Sequence, residues 1–150
     1  MYDLIIIGGG PAGVGAGVYA ARKKLRTLLI TNDFGGQSFV SESIENWLGT
    51  IKISGLELAK ALEGHVRAQE GIEIKMPERA TMVKSTDSGY EVTTDKGAYQ
   101  AKTVIIATGG RRRRLGIPGE DKFDGKGVSY CSTCDAPLFK NKIVAVIGGG

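Results

Sequence analysis

The segment Gly8-Gly9-Gly10-Pro11-Ala12-Gly13, directly after the apolar run Tyr2–Ile7, constrains this chain more than any other part of it. A short apolar run that stops at glycines reads as a buried parallel strand. Residues 11–24 follow, small at first and ending in Arg22, Lys23 and Lys24, whose charges suit the negative end of a helix dipole. Residues 26–31 read as a second strand. In a strand–loop–helix–strand setting, Gly8-x-Gly10-x-x-Gly13 has a mechanism. Gly8 permits a tight turn, Gly10 lets backbone approach a pyrophosphate, Gly13 lets the helix close on the strand, and the helix N-terminus attracts phosphates. The flanking elements favour this dinucleotide site over a glycine-rich turn with no ligand. An acidic residue commonly ends the second strand and holds the adenosine ribose. Here the position reads Thr31-Asn32-Asp33, so Asp33 serves, or Thr31 and the backbone do.

Further along, residues 34–53 show little periodicity and read as an ordered loop. Ser54 and Glu57 have capping-box spacing, and Leu58, Leu62 and Val66 then recur at helical intervals, giving a helix that ends near Gly71. Residues 72–75 read as a third parallel strand. Short strands at 80–84, 90–94 and 98–102, separated by turn residues, form a small antiparallel meander. Residues 103–107 return to a buried strand that stops at Thr108-Gly109-Gly110. Residues 142–147 read as another buried strand, and its continuation into Gly148-Gly149-Gly150 repeats the opening of the chain. A second nucleotide-binding unit is therefore expected to begin there, in a longer protein.

The only two cysteines are Cys131 and Cys134, in Cys131-Ser132-Thr133-Cys134-Asp135. Their spacing permits a reversible disulfide. A zinc site would need four ligands, and the one histidine, His65, is far away on the expected helix, where it reads as a surface residue. Two inert loop cysteines are the third reading. A carboxyl directly after the pair, at Asp135, suits proton transfer to a leaving thiolate; otherwise it is a turn residue before Pro137. A dinucleotide site and a dithiol on one chain suggest electrons passing from a cofactor to a disulfide, with no metal.

The net charge of +4 equals the charge of Arg111-Arg112-Arg113-Arg114, so the remainder is balanced. This is a local patch, either a solvated loop face or a dock for an acidic redox partner, and it argues against nucleic-acid binding. No apolar run is long enough to cross a bilayer and no basic signal region precedes the first strand, so a cytoplasmic chain with no membrane partner is expected. Trp47 and Tyr130 are read as packing residues; stacking on a flat cofactor is the alternative.

Together these stretches resemble the low-molecular-weight thioredoxin reductases and the related flavoprotein reductases of alkyl hydroperoxide peroxiredoxins. The similar segments are residues 5–13, 34–37 (Phe-Gly-Gly-Gln), 44–47 (Ile-Glu-Asn-Trp), 105–109 (Ile-Ile-Ala-Thr-Gly), 117–121 (Ile-Pro-Gly-Glu-Asp), 127–135 and 142–150. The resemblance implies FAD bound by Gly8, Gly10, Pro11, Ala12, Gly13, Thr31, Gly35, Gly36, Gln37, Asn46, Thr108 and Gly109. It implies that Cys134 exchanges electrons with the flavin, that Cys131 meets the partner disulfide, and that Asp135 is the acid/base. NADPH or NADH would bind a domain beginning near Lys142, the partner would be a thioredoxin-like or peroxiredoxin-system protein, and the enzyme would be a homodimer. The Cys-Ser-Thr-Cys of this chain differs by one residue from the family's common Cys-Ala-Thr-Cys.

The expectation is thus an α/β chain. Residues 1–115 form the N-terminal part of a Rossmann-type FAD-binding domain with a parallel sheet and an inserted meander. Residues 116–150 hold the dithiol and the first strand of a nicotinamide domain. A peroxiredoxin reductase, a ferredoxin-dependent thioredoxin reductase and a non-catalytic FAD-binding fragment are the alternative functions.

Overall fold

The computed structural model describes residues 1–110, 113–131 and 136–148. The chain divides into two compact units, Met1–Gly110 and Arg111–Gly150.

In the first unit, β1 (Tyr2–Gly9) leads through α1 (Pro11–Arg22) to β2 (Thr27–Phe34). A 3-10 helix (Gly36–Val40), α2 (Gly55–Arg67) and β3 (Ile72–Lys75) follow. The meander is β4 (Ala80–Thr86), β5 (Gly89–Thr94) and β6 (Ala98–Ile106). All six strands form one sheet, ordered β3-β2-β1-β6-β5-β4. β3, β2, β1 and β6 run parallel, and β6, β5 and β4 run antiparallel.

The centre of that order explains the continuous apolar run at the start of the sequence. β1 is flanked by β2 on one edge and β6 on the other, and both of its faces are covered. Leu4 and Ile6 point toward α1 and α2, packing with Val14, Leu29, Leu58, Leu62 and Val66. Ile5 and Ile7 point the other way, packing with Leu28, Ile30, Val92 and Ala101. Alternate side chains leave opposite faces of a strand, so a strand buried on both sides has no polar phase.

α2 starts where its sequence directs. The Ser54 N–H donates to Glu57 Oε2 at 3.0 Å, and the Glu57 N–H donates to Ser54 Oγ at 3.2 Å. These Ser54 hydrogen bonds hold the Glu57 carboxyl below the usual glutamate range. His65 is exposed in the last turn of α2. The helix stops at Arg67, ahead of the expected Gly71, which instead turns the chain into β3 with φ of 82°.

Several expectations need correction. The segments 98–102 and 103–107 are one strand. Ala101 of β6 is paired with Tyr90 on one side and Tyr2 on the other, so the strand joins the meander to the parallel sheet. No turn residue interrupts it, and a shared strand satisfies both of its backbone edges. Its end is not buried either: Ile105 and Ile106 are exposed, because no described element covers them. Residues 34–53 hold more than a loop, since the 3-10 helix and an Ile44–Ile53 bridge fold them onto the core, where Trp47 also packs.

In the second unit, α3 (Glu120–Phe123) is a single turn, and a 3-10 turn spans Ala136–Phe139. The expected buried strand at 142–147 is absent among the described residues, and Ile143, Val144, Val146 and Ile147 are exposed. A parallel strand needs neighbours to complete its hydrogen bonds and layers to cover both faces, and no described element supplies them. No helix among the described residues is long and apolar enough to cross a membrane.

Replacing Ser54 by Ala removes the acceptor for the Glu57 N–H and should cost about 1 kcal/mol of stability. Urea unfolding would measure it; an unchanged midpoint would mean the box contributes nothing.

Candidate functional site

Because β1, β2 and β6 are parallel, their carboxyl ends open on one edge of the sheet. The chain order also reverses there, with β2 to one side of β1 and β6 to the other. A crevice at such a switch point is where open α/β sheets take ligands. Three glycine-containing loops meet at it: Gly8–Gly13 after β1, Gly35–Gln37 after β2 and Ala107–Gly110 after β6.

The three fingerprint glycines do different work. Gly8 has φ of 120°, and a Cβ there would stand 2.3 Å from the Ala107 carbonyl oxygen. A Cβ on Gly13 would stand 1.8 Å from the Gly8 carbonyl oxygen, so only hydrogen lets α1 lie this close to the β1 turn. Gly10 differs, since the nearest atom to its missing Cβ is Gly36 Cα at 3.8 Å. The space beside Gly10 is therefore open.

α1 begins at this point with no acidic residue in its first turn and no side-chain cap. Pro11 has no N–H to satisfy, while the N–H groups of Ala12 and Gly13 find no hydrogen-bond acceptor among the described residues. Together with the open space at Gly10, this gives a cradle with neutral donors and a positive dipole end, suited to a phosphate.

The second and third loops are fastened around it. The Gly35 N–H donates to the Gly9 carbonyl at 3.1 Å, and Ser38 Oγ donates to the Gly35 carbonyl at 2.6 Å. Gly35 and Gly36 have φ of 95° and 57°, in the left-handed region that favours glycine. Gln37 Nε2 donates to the Gly110 carbonyl, linking the β2 loop to the β6 loop. Thr108 and Gly109 are exposed in that last loop. Asn46 is exposed in a separate loop and has no hydrogen bond to these glycine segments among the described residues.

The end of β2 is bulged. Ile7 pairs with Ile30 but Gly9 pairs with Phe34, so β2 carries extra residues at 31–33. Thr31 Oγ1 donates to the Asp33 carbonyl at 2.6 Å and its side chain is buried, so the hydroxyl shapes the bulge. Asn32 and Asp33 are turned outward, with Asn32 Nδ2 donating to Asp33 Oδ2 at 3.2 Å. The bulge also explains Gly9, which the fingerprint leaves as a free position. A Cβ there would meet the Asp33 carbonyl oxygen at 2.5 Å and Thr31 Oγ1 at 2.6 Å. Its signal in the sequence was only its place in a run of glycines.

In the second unit Cys131 is disulfide-bonded, and its N–H donates to Ser129 Oγ at 3.3 Å. Cys134 and Asp135 lie outside the described residues, as do Arg111 and Arg112. Arg114 is neither a bare solvated charge nor a free docking group. It bridges Asp121 at 2.5 Å and Asp124 at 2.7 Å, and its guanidinium lies 5.6 Å from the centre of the Tyr130 ring.

Sequence reasoning missed Glu120. It is buried in α3, and its carboxylate accepts the N–H groups of Leu115 at 2.9 Å, Gly116 at 2.6 Å and Ile117 at 3.3 Å. Burial works to raise its pKa, but the three backbone donors and the nearby Arg114 outweigh it and hold the carboxyl below the usual range. The local signal was a glutamate directly after Pro118-Gly119.

The pattern of the pyridine nucleotide-disulphide oxidoreductase family matches residues 2–150. A thioredoxin reductase from Treponema pallidum is 48% identical across 99% of this chain and 48% of its own length. A component of alkyl hydroperoxide reductase from Pseudomonas aeruginosa is 45% identical across 99% of this chain and 29% of its own length. Among solved structures, the thioredoxin reductase from Streptococcus pyogenes superposes with a TM-score of 0.80, at 41% identity over 93% of this chain and 45% of that one. The chain therefore spans less than half the length of each of these relatives.

A carboxylate with a lowered pKa contributes stability that is present above its unfolded pKa and lost as pH falls through the folded one. The amide resonances of Leu115, Gly116 and Ile117 should therefore shift together with a midpoint below the ordinary glutamate value. A midpoint at or above that value would contradict the N–H cradle.

Proposed function

The chain belongs to the pyridine nucleotide-disulphide oxidoreductase family, and from that membership we propose that it is the FAD-holding and disulfide-bearing part of a thioredoxin reductase-type flavoprotein. The observation that carries this reading is the uncapped cradle at Gly10–Gly13 on a chain that also carries a disulfide-bonded cysteine. The residues fit the group: Gly10 leaves room for a pyrophosphate, and the Ala12 and Gly13 N–H groups are ready donors. Gly8, Pro11 and Gly13 set the turn and helix that present them. Gly35, Gly36, Gln37, Thr108 and Gly109 flank the crevice, and Asn46 is assigned to it from the family resemblance. At the ribose corner the exposed Asn32 and Asp33 replace Thr31, whose hydroxyl is engaged in the bulge.

When bound, the flavin supplies a two-electron carrier between a nicotinamide and a disulfide. The chain's own task is the disulfide exchange. Two electrons and two protons open the Cys131–Cys134 bond to two thiols. Cys131, as thiolate, attacks the partner's disulfide, forms a mixed disulfide and releases one partner thiolate. Cys134 then attacks Cys131, releasing the second partner thiolate and closing the pair again. Asp135 is positioned by sequence to carry the protons that these thiolates gain and lose.

Residues 1–115 are assigned to the FAD side, and 116–150 to the dithiol segment and the start of a nicotinamide domain that takes NADPH or NADH. The partner is a thioredoxin-like disulfide protein, the assembly a homodimer, and the location the cytoplasm, where a close cysteine pair suits redox exchange better than stapling. The similarity to the Pseudomonas aeruginosa protein favours a second reading, in which the partner disulfide belongs to a peroxiredoxin system. Comparing turnover with each kind of protein disulfide decides between them.

Gly10→Ala should leave thermal stability nearly unchanged, since its Cβ meets nothing closer than 3.8 Å, yet weaken FAD binding at least tenfold by filling the approach to the cradle. Equal FAD affinity, measured by flavin fluorescence, would remove Gly10 from the site. Cys134→Ser in the flavin-loaded protein should lower reduction of the partner disulfide by orders of magnitude. Turnover close to the unmodified protein would sink the exchange mechanism.

A further inference from the structure

Glu120 does more than close its own turn. Four donors converge on its two oxygens: the three consecutive N–H groups of residues 115–117 and the phenolic O–H of Tyr130. Every partner donates, so the site fits a carboxylate, which accepts on both oxygens and donates on neither. A glutamine would present an NH2 group to one side of the cluster.

Tyr130 immediately precedes Cys131 in the sequence. Between Glu120 and Tyr130 the backbone closes on itself. The Lys126 and Val128 N–H groups both donate to the Phe123 carbonyl, at 2.8 and 2.9 Å, and the Gly125 N–H donates to the Val128 carbonyl at 2.9 Å. Arg114, anchored by Asp121 and Asp124, covers the Tyr130 ring. The ring is thus held at its face by a cation and at its hydroxyl by a buried carboxylate that is itself tied to the backbone. The residue carrying the first redox sulfur follows directly from this anchor, and the whole arrangement is present with Cys131 in its disulfide.

We propose that Glu120 is a positioning residue for the redox disulfide, acting through Tyr130 to fix the backbone that carries Cys131. This rests on the disulfide-exchange reading above. A disulfide closes only within narrow limits of Cα separation and direction. Restricting one half of the pair before closure raises its effective concentration toward the other half and favours the disulfide over the dithiol. The anchor therefore sets the balance between the two states without touching the sulfur.

The test is a redox equilibrium of the full chain in graded dithiothreitol buffers, with thiols trapped by alkylation and counted by mass. Reduction takes two electrons and two protons from the reagent's thiols, which close to their own disulfide. Tyr130→Phe removes one hydroxyl and keeps the ring under Arg114. Freeing the backbone before Cys131 lowers the effective concentration of its sulfur and should move the equilibrium constant about tenfold toward the dithiol, about 30 mV for this two-electron couple. Glu120→Gln should shift it similarly, and the double variant no further, because the two residues act as one unit. If Glu120→Gln does not fold, Tyr130→Phe alone decides. An unchanged constant in Tyr130→Phe, or fully additive shifts in the double variant, overturns the positioning role while the exchange reading stands. A pair in the unmodified protein that does not equilibrate with dithiothreitol overturns both.

Discussion

The contact on which the rest of the first unit depends is the approach of α1 to the turn after β1, where Gly13 lies against the Gly8 carbonyl with no side chain between. That contact fixes the height and tilt of α1 over the sheet. It therefore decides where the uncapped helix N-terminus sits relative to the strand ends. Val14 and Ala20, buried on the same helix, reach the core beside Leu4 and Ile6 only if the helix lies at that depth. The crevice inherits its geometry from this packing. β2 and β6 flank β1 in parallel, so their loops are delivered to the same edge, where Gly35 ties the β2 loop to the end of β1 and Gln37 ties it to the β6 loop.

The two units handle charge in opposite ways. The glycine cradle offers neutral backbone donors and open space, with no acidic residue in the first turn of α1 to compete for them. The segment leading to Cys131 instead centres on a buried carboxylate whose donors all come from the same stretch of chain. One arrangement leaves donors for a ligand, and the other consumes them internally to hold a shape. The proposed function uses both: open donors for an anionic cofactor, and an internally bonded segment that carries Cys131.

How much of this was legible in the sequence follows from how local each cause is. β1, α1 and the capping box at Ser54 and Glu57 are written in neighbouring residues, and the fold follows them. The turn at Gly8 and the close packing at Gly13 were legible for the same reason. The continuity of β6 was not, because its two halves pair with different strands, β5 and β1, and only the assembled sheet shows that Ala101 serves both. The apolar run at 142–147 has the composition of a strand, but composition supplies neither the paired neighbours nor the cover that a parallel strand requires. The bulge at 31–33 was hidden because it shows only in the register of β1 against β2, with the Thr31 hydroxyl bonded inside it to a carbonyl two residues on. Glu120 was passed over because exposure is the ordinary fate of a glutamate in a turn, and only the folded segment brings four donors to it.

The cradle at Gly10–Gly13 is central, because the proposed function requires it to recognise the pyrophosphate of FAD. Titrating the protein with FAD while following flavin fluorescence, then repeating the titration with ADP as competitor, tests this most directly. Saturable binding that ADP displaces, and that FMN does not reproduce, is the predicted result. Flavin binding insensitive to ADP, or no binding at all, would contradict it.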